Sequence, residues 1–258
     1  MINFIGFTAI VLLVSKRVSK NLNAVVSKVN RVANGDYSEK VQMSTIYEFQ
    51  QITDSINQMS DTISMKIKEL SDKNSEILRL MVEALDATDT YTKGHSERVA
   101  RFVYILGEKL GYKDLDMLIT AALLHDIGKI SVPEHVLNKP GKLTDDEFNL
   151  IKLHVITGQR ILSKSKTFNE IEEMVRHHHE RYDGKGYPDG LKDNAIPLGA
   201  KLISICDVYD ALTSNRPYRK AMSHMDAMKL IMDSSGTQFD PELVNAFIAI
   251  EPLLDLDR

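Results

Sequence analysis

The chain has 258 residues, with 36 acidic against 32 basic side chains and a net charge of −4. That length holds one catalytic domain of about 150 to 180 residues plus a smaller partner. The acidic balance argues against binding DNA or RNA duplexes, which needs excess Lys and Arg to displace counterions, and leaves open a small anionic ligand. A single cysteine, Cys206, excludes an intrachain disulfide, points to a reducing compartment, and sits in an apolar run as a core residue would.

Ile2 to Val14 is almost wholly apolar and is followed by Lys16, Arg17 and Lys20, the polarity of a helix leaving a bilayer on its cytoplasmic side. The run reaches only about 20 Å of roughly 30 Å of hydrocarbon. Charge after the run rather than before it excludes a secretory signal peptide. Residues 1–14 therefore read as a partial membrane-spanning stub that holds the chain at the inner or cytoplasmic membrane, with the catalytic part in the cytoplasm. A buried amphipathic start is the alternative.

Val18, Leu22, Val25, Val26, Val29 and Val32 keep helical spacing, and Gly35-Asp36 breaks that helix. From Glu48 a second run, Phe49, Ile52, Ile56, Met59 and Ile63, alternates by three and four like the seam of a parallel coiled coil. With Asn34-Gly35-Asp36-Tyr37 closing the first helix, Glu48-Phe49 opening the second and Asn57 to Met59 near its end, residues 15–68 resemble a HAMP signalling module. Asn21 departs from the pattern, since HAMP first helices usually carry a proline there. Plain coiled-coil pairing is the alternative, and a homodimer is expected. Lys66, Lys73 and Asn74 impair the heptad after Met65, and no Gly/Ser-rich or Pro-rich linker intervenes. A continuous helix should thus lead into a catalytic domain over 69–258.

Ile77, Leu80, Met81 and Ala84 form one stripe, and the chain breaks around Thr90 to Gly94. A helix from His95 to Leu110 puts Val99, Phe102 and Leu106 on the face of His95, and Gly111 ends it. The next helix is expected from Asp114 to about Ile127, with Leu115, Leu118 and Ala122 in line with His125 and Gly128 as its stop. Adjacent His125 and Asp126 project about 100° apart, so both reach one pocket, where a carboxylate can bridge two metal ions. Lys129 follows within reach of a phosphate oxygen.

Asn138 to Gly141 is a turn, and Thr144 with Glu147 forms a capping box for a helix carrying His154 on its buried side. Around Ile171, the residues Met174, Val175, His178 and His179 fall within about 80° of one face, while His177 and Glu180 face away. His178 and His179 are the ligand candidates, and His177 is a surface group or a support for the ligands. His135 and His224 read as ordinary surface histidines. Arg181 to Pro188 contains two glycines and a proline and must be a loop, either a contact for a planar base or sugar-phosphate or only a tight turn. On the helix opened by Gly199, Asp207 is the better ligand and Asp210 its supporting partner. Arg216 and Arg219 follow, fit for bidentate phosphate binding or forming a solvated cluster. Asp240 caps a last helix with Pro241 at its first position.

Metal-binding side chains thus recur 24 to 30 residues apart on different helices. A buried cluster of imidazoles and carboxylates is costly unless a cation compensates it, so the chain reads as a metallo-hydrolase.

Several ordered motifs resemble the HD-GYP family of cyclic di-GMP phosphodiesterases over residues 76–250. They are Gly94-His95-Ser96, His125-Asp126-Ile127-Gly128-Lys129, the Leu137 to Gly141 loop, His178-His179-Glu180, Asp183-Gly184, Gly186-Tyr187-Pro188, Asp207 to Leu212 and Arg216-Pro217-Tyr218. The resemblance implies an all-α fold: an HD-domain helical bundle with a C-terminal GYP-type extension, preceded by the HAMP-like two-helix coiled-coil segment. It also implies metal ligation by His95, His125, Asp126, His154, His178, His179 and Asp207, with Asp126 bridging two divalent transition-metal ions, iron or manganese. Asp126, Lys129 and Asp183 would serve catalysis, and Lys129, Tyr187, Arg216 and Arg219 would contact cyclic di-GMP. Some relatives hold a third metal with a glutamate four residues before the first histidine; Tyr91 stands there, which argues for two. The expected reaction is in-line hydrolysis to pGpG and then GMP, with a silent cyclic-dinucleotide receptor or interaction module, or an HD phosphohydrolase for another cyclic dinucleotide, as alternatives.

Overall fold

The computed structural model describes residues 2–38, 40, 47–88, 94–215 and 220–254. Its helices are α1 (Ile2–Ala33), α2 (Tyr47–Thr88), α3 (His95–Lys109), α4 (Leu115–Leu124), α5 (Glu134–Leu137), α6 (Asp145–Leu162), α7 (Glu172–His177), α8 (Leu198–Thr213), α9 (His224–Asp233), α10 (Pro241–Ala249) and α11 (Glu251–Leu254). Among the described residues there is no strand beyond one isolated bridge between Ser235 and Phe239, as the all-α expectation requires. The chain divides into two compact units, Met1–Ile77 and Leu78–Arg258, and the division falls inside the unbroken helix α2.

In the first unit α1 ends where Gly35 takes φ 85°, a left-handed conformation that glycine adopts without a Cβ clash. Arg31 Nε donates to Asp36 at 2.8 Å, and Ser60 donates to the Tyr37 carbonyl at 3.1 Å. Val32, Lys28, Thr53 and Ser60 are buried. Apolar residues from Phe4 to Val14 are exposed, Phe4 by 76 %, so the start of α1 is not packed away within one copy of the chain. No helix among the described residues is long and apolar enough to cross a membrane.

The second unit packs α3, α4, α7, α8, α9 and α10 around one core that includes Val99, Phe102, Leu106, Leu118, Ala122, Val175, Ile203, Ile205, Tyr209 and Phe247. Cys206 belongs to it, fully buried. Asp114 caps α4 by accepting from Met117 N at 3.0 Å, and Thr144 and Glu147 form the capping box that opens α6. Asp240 and Pro241 start α10.

Two features differ from the sequence reading. Helix α4 stops at Leu124, because Asp126 leaves helical geometry (φ −97°, ψ 5°) and the chain tightens into a 3-10 turn over Ile127–Ser131. Gly128 lies inside that turn and does not end α4. It is needed because its backbone presses on α6: a Cβ there would sit 1.9 Å from the His154 carbonyl oxygen. Helix α7 is also only six residues long, with His178 already at its C-cap.

Candidate metal centre

Six of the seven proposed ligands come from four places: the start of α3 (His95), the α4 terminus (His125, Asp126), mid-α6 (His154) and the end of α7 (His178, His179). Their donor atoms form two groups, one of His95, His125 and Asp126 and one of Asp126, His154, His178 and His179, each within 4.8 Å. Asp126 is common to both. Its Oδ2 lies 3.3 Å from His125 Nε2 and 2.7 Å from Lys129 Nζ, and its Oδ1 lies 3.3 Å from His154 Nε2. Asp207 on α8 joins through its Oδ1, 3.1 Å from His95 Nε2. All seven predicted ligands therefore converge.

The orientation of the imidazoles shows what they are fitted for. His125, His154 and His178 each direct Nδ1 at the carbonyl three residues back, of Ala122, Ile151 and Val175, at 2.6, 2.7 and 2.7 Å. A carbonyl only accepts, so Nδ1 carries the proton and the Nε2 lone pairs point inward. Desolvation holds His154 and His178 below the usual histidine range and drives His179 to about 3, which keeps these rings neutral. His154 and His178 Nε2 then face each other at 3.5 Å, and among the described residues the buried His125 Nε2 has no hydrogen-bond partner. Lone pairs aimed at one another and at a carboxylate are repulsive unless a cation lies among them, so the residues fit divalent metal.

The carboxylates are ionised for the same purpose. Burial opposes charge on Asp126, but Lys129 and then His125 outweigh it and hold the group well below the ordinary carboxylate range. Asp207 is likewise lowered against its burial, mainly by His95. His95 itself is penalised by burial yet raised to about 9 by hydrogen bonds to Asp207 and Asp210.

A family model described as HD domain matches residues 58–243, and one described as HAMP domain matches 13–65. The chain belongs to the HD domain family. It is 36 % identical over 217 residues to the cyclic di-GMP phosphodiesterase response regulator RpfG of Xanthomonas campestris, covering 81 % of this chain and 57 % of that protein. It is 40 % identical over 174 residues to the 3′3′-cGAMP-specific phosphodiesterase 3 of Vibrio cholerae, covering 67 % and 37 %. The solved structure of a cyclic GMP-AMP-specific phosphodiesterase of Vibrio cholerae, V-cGAP3, superposes with a TM-score of 0.55 at 22 % identity, over 71 % of this chain and 49 % of that one, a likeness of fold. The chain spans about half the length of the curated relatives it matches.

Around the candidate ligands the structure adds contacts that the sequence did not disclose. Asp210 accepts from His95 Nδ1 at 2.7 Å and from Arg98 at 2.6 Å (Nε) and 3.0 Å (Nη2), so the expected supporting partner is itself clamped by an arginine. Arg98 lies three residues after His95 on one face of α3, a spacing that could have revealed it. His177 is buried rather than at the surface, with Nε2 2.9 Å from Asp189, because the loop after α7 folds back over that side. Glu180, also read as facing away, is buried for the same reason. His135 is exposed as expected, but His224 is half-buried between Tyr209 Oη at 2.7 Å and Glu251 at 3.1 Å.

Tyr187 reaches the centre: its ring lies 4.9 Å from that of His179 at 33°, and burial, then Asp126 and Asp207, push its phenol up, keeping it protonated. Asp183 is engaged elsewhere, by Arg181 at 2.9 and 3.1 Å and by Lys185 N at 3.1 Å, and Arg181 lowers its carboxyl to about 2. Arg216, Arg219 and Tyr91 lie outside the described residues.

Proposed function

We propose that this HD domain is a metal-dependent phosphodiesterase that opens cyclic di-GMP to linear pGpG, with GMP as the product of a second round. The observation that carries this reading is Asp126, one carboxylate shared between two groups of histidines, which suits two divalent ions held side by side. The mixed nitrogen and oxygen donors suit iron or manganese. When bound, such ions supply Lewis acidity toward a phosphoryl oxygen and toward water.

The protein's own groups do the remaining work. Lys129, 2.7 Å from Asp126, brings a positive charge to the edge of the centre, where it stabilises charge on the phosphoryl group or delivers a proton to the leaving 3′ oxygen. The neutral phenol of Tyr187 offers a flat face and a donor for a guanine or its ribose. Arg216 and Arg219 would hold the second phosphate. The engagement of Asp183 with Arg181 favours a part in shaping the loop over direct contact with the reacting phosphate. Residues 15–68 would relay a signal as a homodimer, with exposed Leu22, Val26, Ile52 and Met59 forming the seam, and the apolar start of α1 would lie in the cytoplasmic membrane. The catalytic domain over 69–258 would lie on the cytoplasmic side.

Replacing Asp126 with Ala should abolish both bound metal and linearisation of cyclic di-GMP; activity that survives in the variant refutes the assignment. The 3′3′-cGAMP-specific relative makes a hybrid dinucleotide the second reading. Incubating Mn- or Fe-loaded protein with a panel of cyclic dinucleotides decides between them.

A further inference from the structure

Glu180 directly follows the ligands His178 and His179, yet its carboxylate is turned away from the centre and buried at 3 % exposure. Its Oε1 accepts from Asp189 N at 2.7 Å and from Gly190 N at 2.9 Å, closing the segment from 180 to 190 into a ring. The backbone of that ring lies against Glu180 itself: a Cβ on Gly186 would come within 2.5 Å of the Glu180 Cα. Within it, Tyr187 N donates to the His179 carbonyl at 3.2 Å, while Tyr182 N and Asp183 N are anchored on the Gln238 and Thr237 carbonyls at 3.1 and 2.8 Å. A partly exposed latch of Asp189 with Arg176 and the buried His177 closes the outside.

The loop has no regular ladder of its own, so the place of the Tyr187 ring depends on these few bonds. Two of them converge on one buried oxygen. We infer that Glu180 is the positioning residue for substrate: by gathering the Asp189 and Gly190 amides it fixes the loop that holds Tyr187 over His179, and so sets how the nucleobase or ribose of a cyclic dinucleotide is seated. Losing the acceptor would strand two amide groups and free the ring of the loop. Seating errors on the ångström scale cost up to about 100-fold in turnover efficiency.

The inference rests on reading Tyr187 as a substrate contact, and the test separates the two. In Mn-loaded protein, Glu180→Ala should raise KM for cyclic di-GMP on the order of ten-fold or more, with metal content unchanged and with hydrolysis of bis(p-nitrophenyl) phosphate, which has no base to seat, at the parent rate. Amide hydrogen exchange at Tyr187 to Gly190 should quicken. Glu180→Gln, whose amide oxygen accepts the same two bonds, should restore both KM and protection. If Glu180→Ala does not fold, Glu180→Asp withdraws the oxygen by one methylene and should show the same rise in KM. An unchanged KM in either variant, or loss of metal together with activity on both substrates, overturns the inference. If the parent protein fails to cleave any cyclic dinucleotide while the exchange pattern behaves as stated, the positioning role stands and the substrate reading falls.

Discussion

His154 and His178 turn Nε2 toward one another at 3.5 Å, each with Nδ1 tied to a backbone carbonyl of its own helix. Neither ring can turn to relieve the contact without losing that bond. The folded chain therefore holds a local repulsion that a cation converts into attraction. Chelator-treated protein should unfold at a lower temperature, and Mn²⁺ supplied at about 100 times its Kd should return about 2.7 kcal/mol of stability. Thermal melts check this directly, with Asp126→Ala as control; an equal response in that variant would mean the ion binds elsewhere.

Lys129 should separate binding of metal from chemistry. Its Nζ lies 2.7 Å from Asp126 Oδ2, and an ammonium has no lone pair to offer a metal. Lys129→Met is expected to keep its metal and lose on the order of 100-fold in kcat, the usual cost of removing one stabilising donor. Elemental analysis beside steady-state rates provides the check, and parent-like kcat would remove the lysine from the mechanism.

Arg98 acts one step further out. Its fork grips both oxygens of Asp210, and Asp210 in turn holds His95 Nδ1. Arg98→Ala should weaken metal affinity by roughly 10- to 100-fold, as is usual for partners that orient a ligand. Arg98→Lys should not restore it, because an ammonium cannot span both oxygens in one plane. Competition titration with a metal-sensitive dye reads the affinity.

What the sequence disclosed and what it hid divide along the same physical line. Helical periodicity placed His95 and His154 on buried faces, because each stands at a fixed phase within an apolar stripe. The caps at Thr144 and Asp240 were legible since they depend on neighbours in sequence. The end of α4 was not legible, for Asp126 leaves helical geometry to serve the site, and nothing local to the chain marks that. His177 and Glu180 were misjudged because the 181–190 loop, with no periodicity of its own, returns to cover what α7 alone would leave exposed. Arg98 escaped because an arginine on a half-exposed helix face ordinarily means solvent.

The latch on that loop has a defined pH response. Arg176, then His177, hold the Asp189 carboxyl at about 2, below the roughly 3.9 of an unfolded aspartate. A depressed folded value contributes stability that is present above about pH 4 and is lost as pH falls through about 2. Asp189→Asn should melt slightly below the parent at about pH 6, the effect being small because solvent screens the pair, and the two should converge toward about pH 2. Melting temperatures across that range test it; a constant gap would show that charge is not the cause.

Gly128 links packing to the site most tightly. The 3-10 turn that follows Asp126 lies so close on α6 that a methyl group at position 128 would meet the His154 carbonyl at 1.9 Å and the Gly158 nitrogen at 2.6 Å. Both are backbone atoms, so neither can swing aside, and α6 as a whole must retreat. Since His154 rides on α6 while Asp126 leads directly into the turn, that retreat widens the gap between His154 and Asp126, whose donor atoms now approach to 3.3 Å. Gly128→Ala is thus expected to cost about 1–3 kcal/mol in urea unfolding and to lower metal content at the same time. A variant that loses stability but binds metal like the parent would show that the turn and α6 move together, and that the contact serves the fold rather than the spacing of the centre.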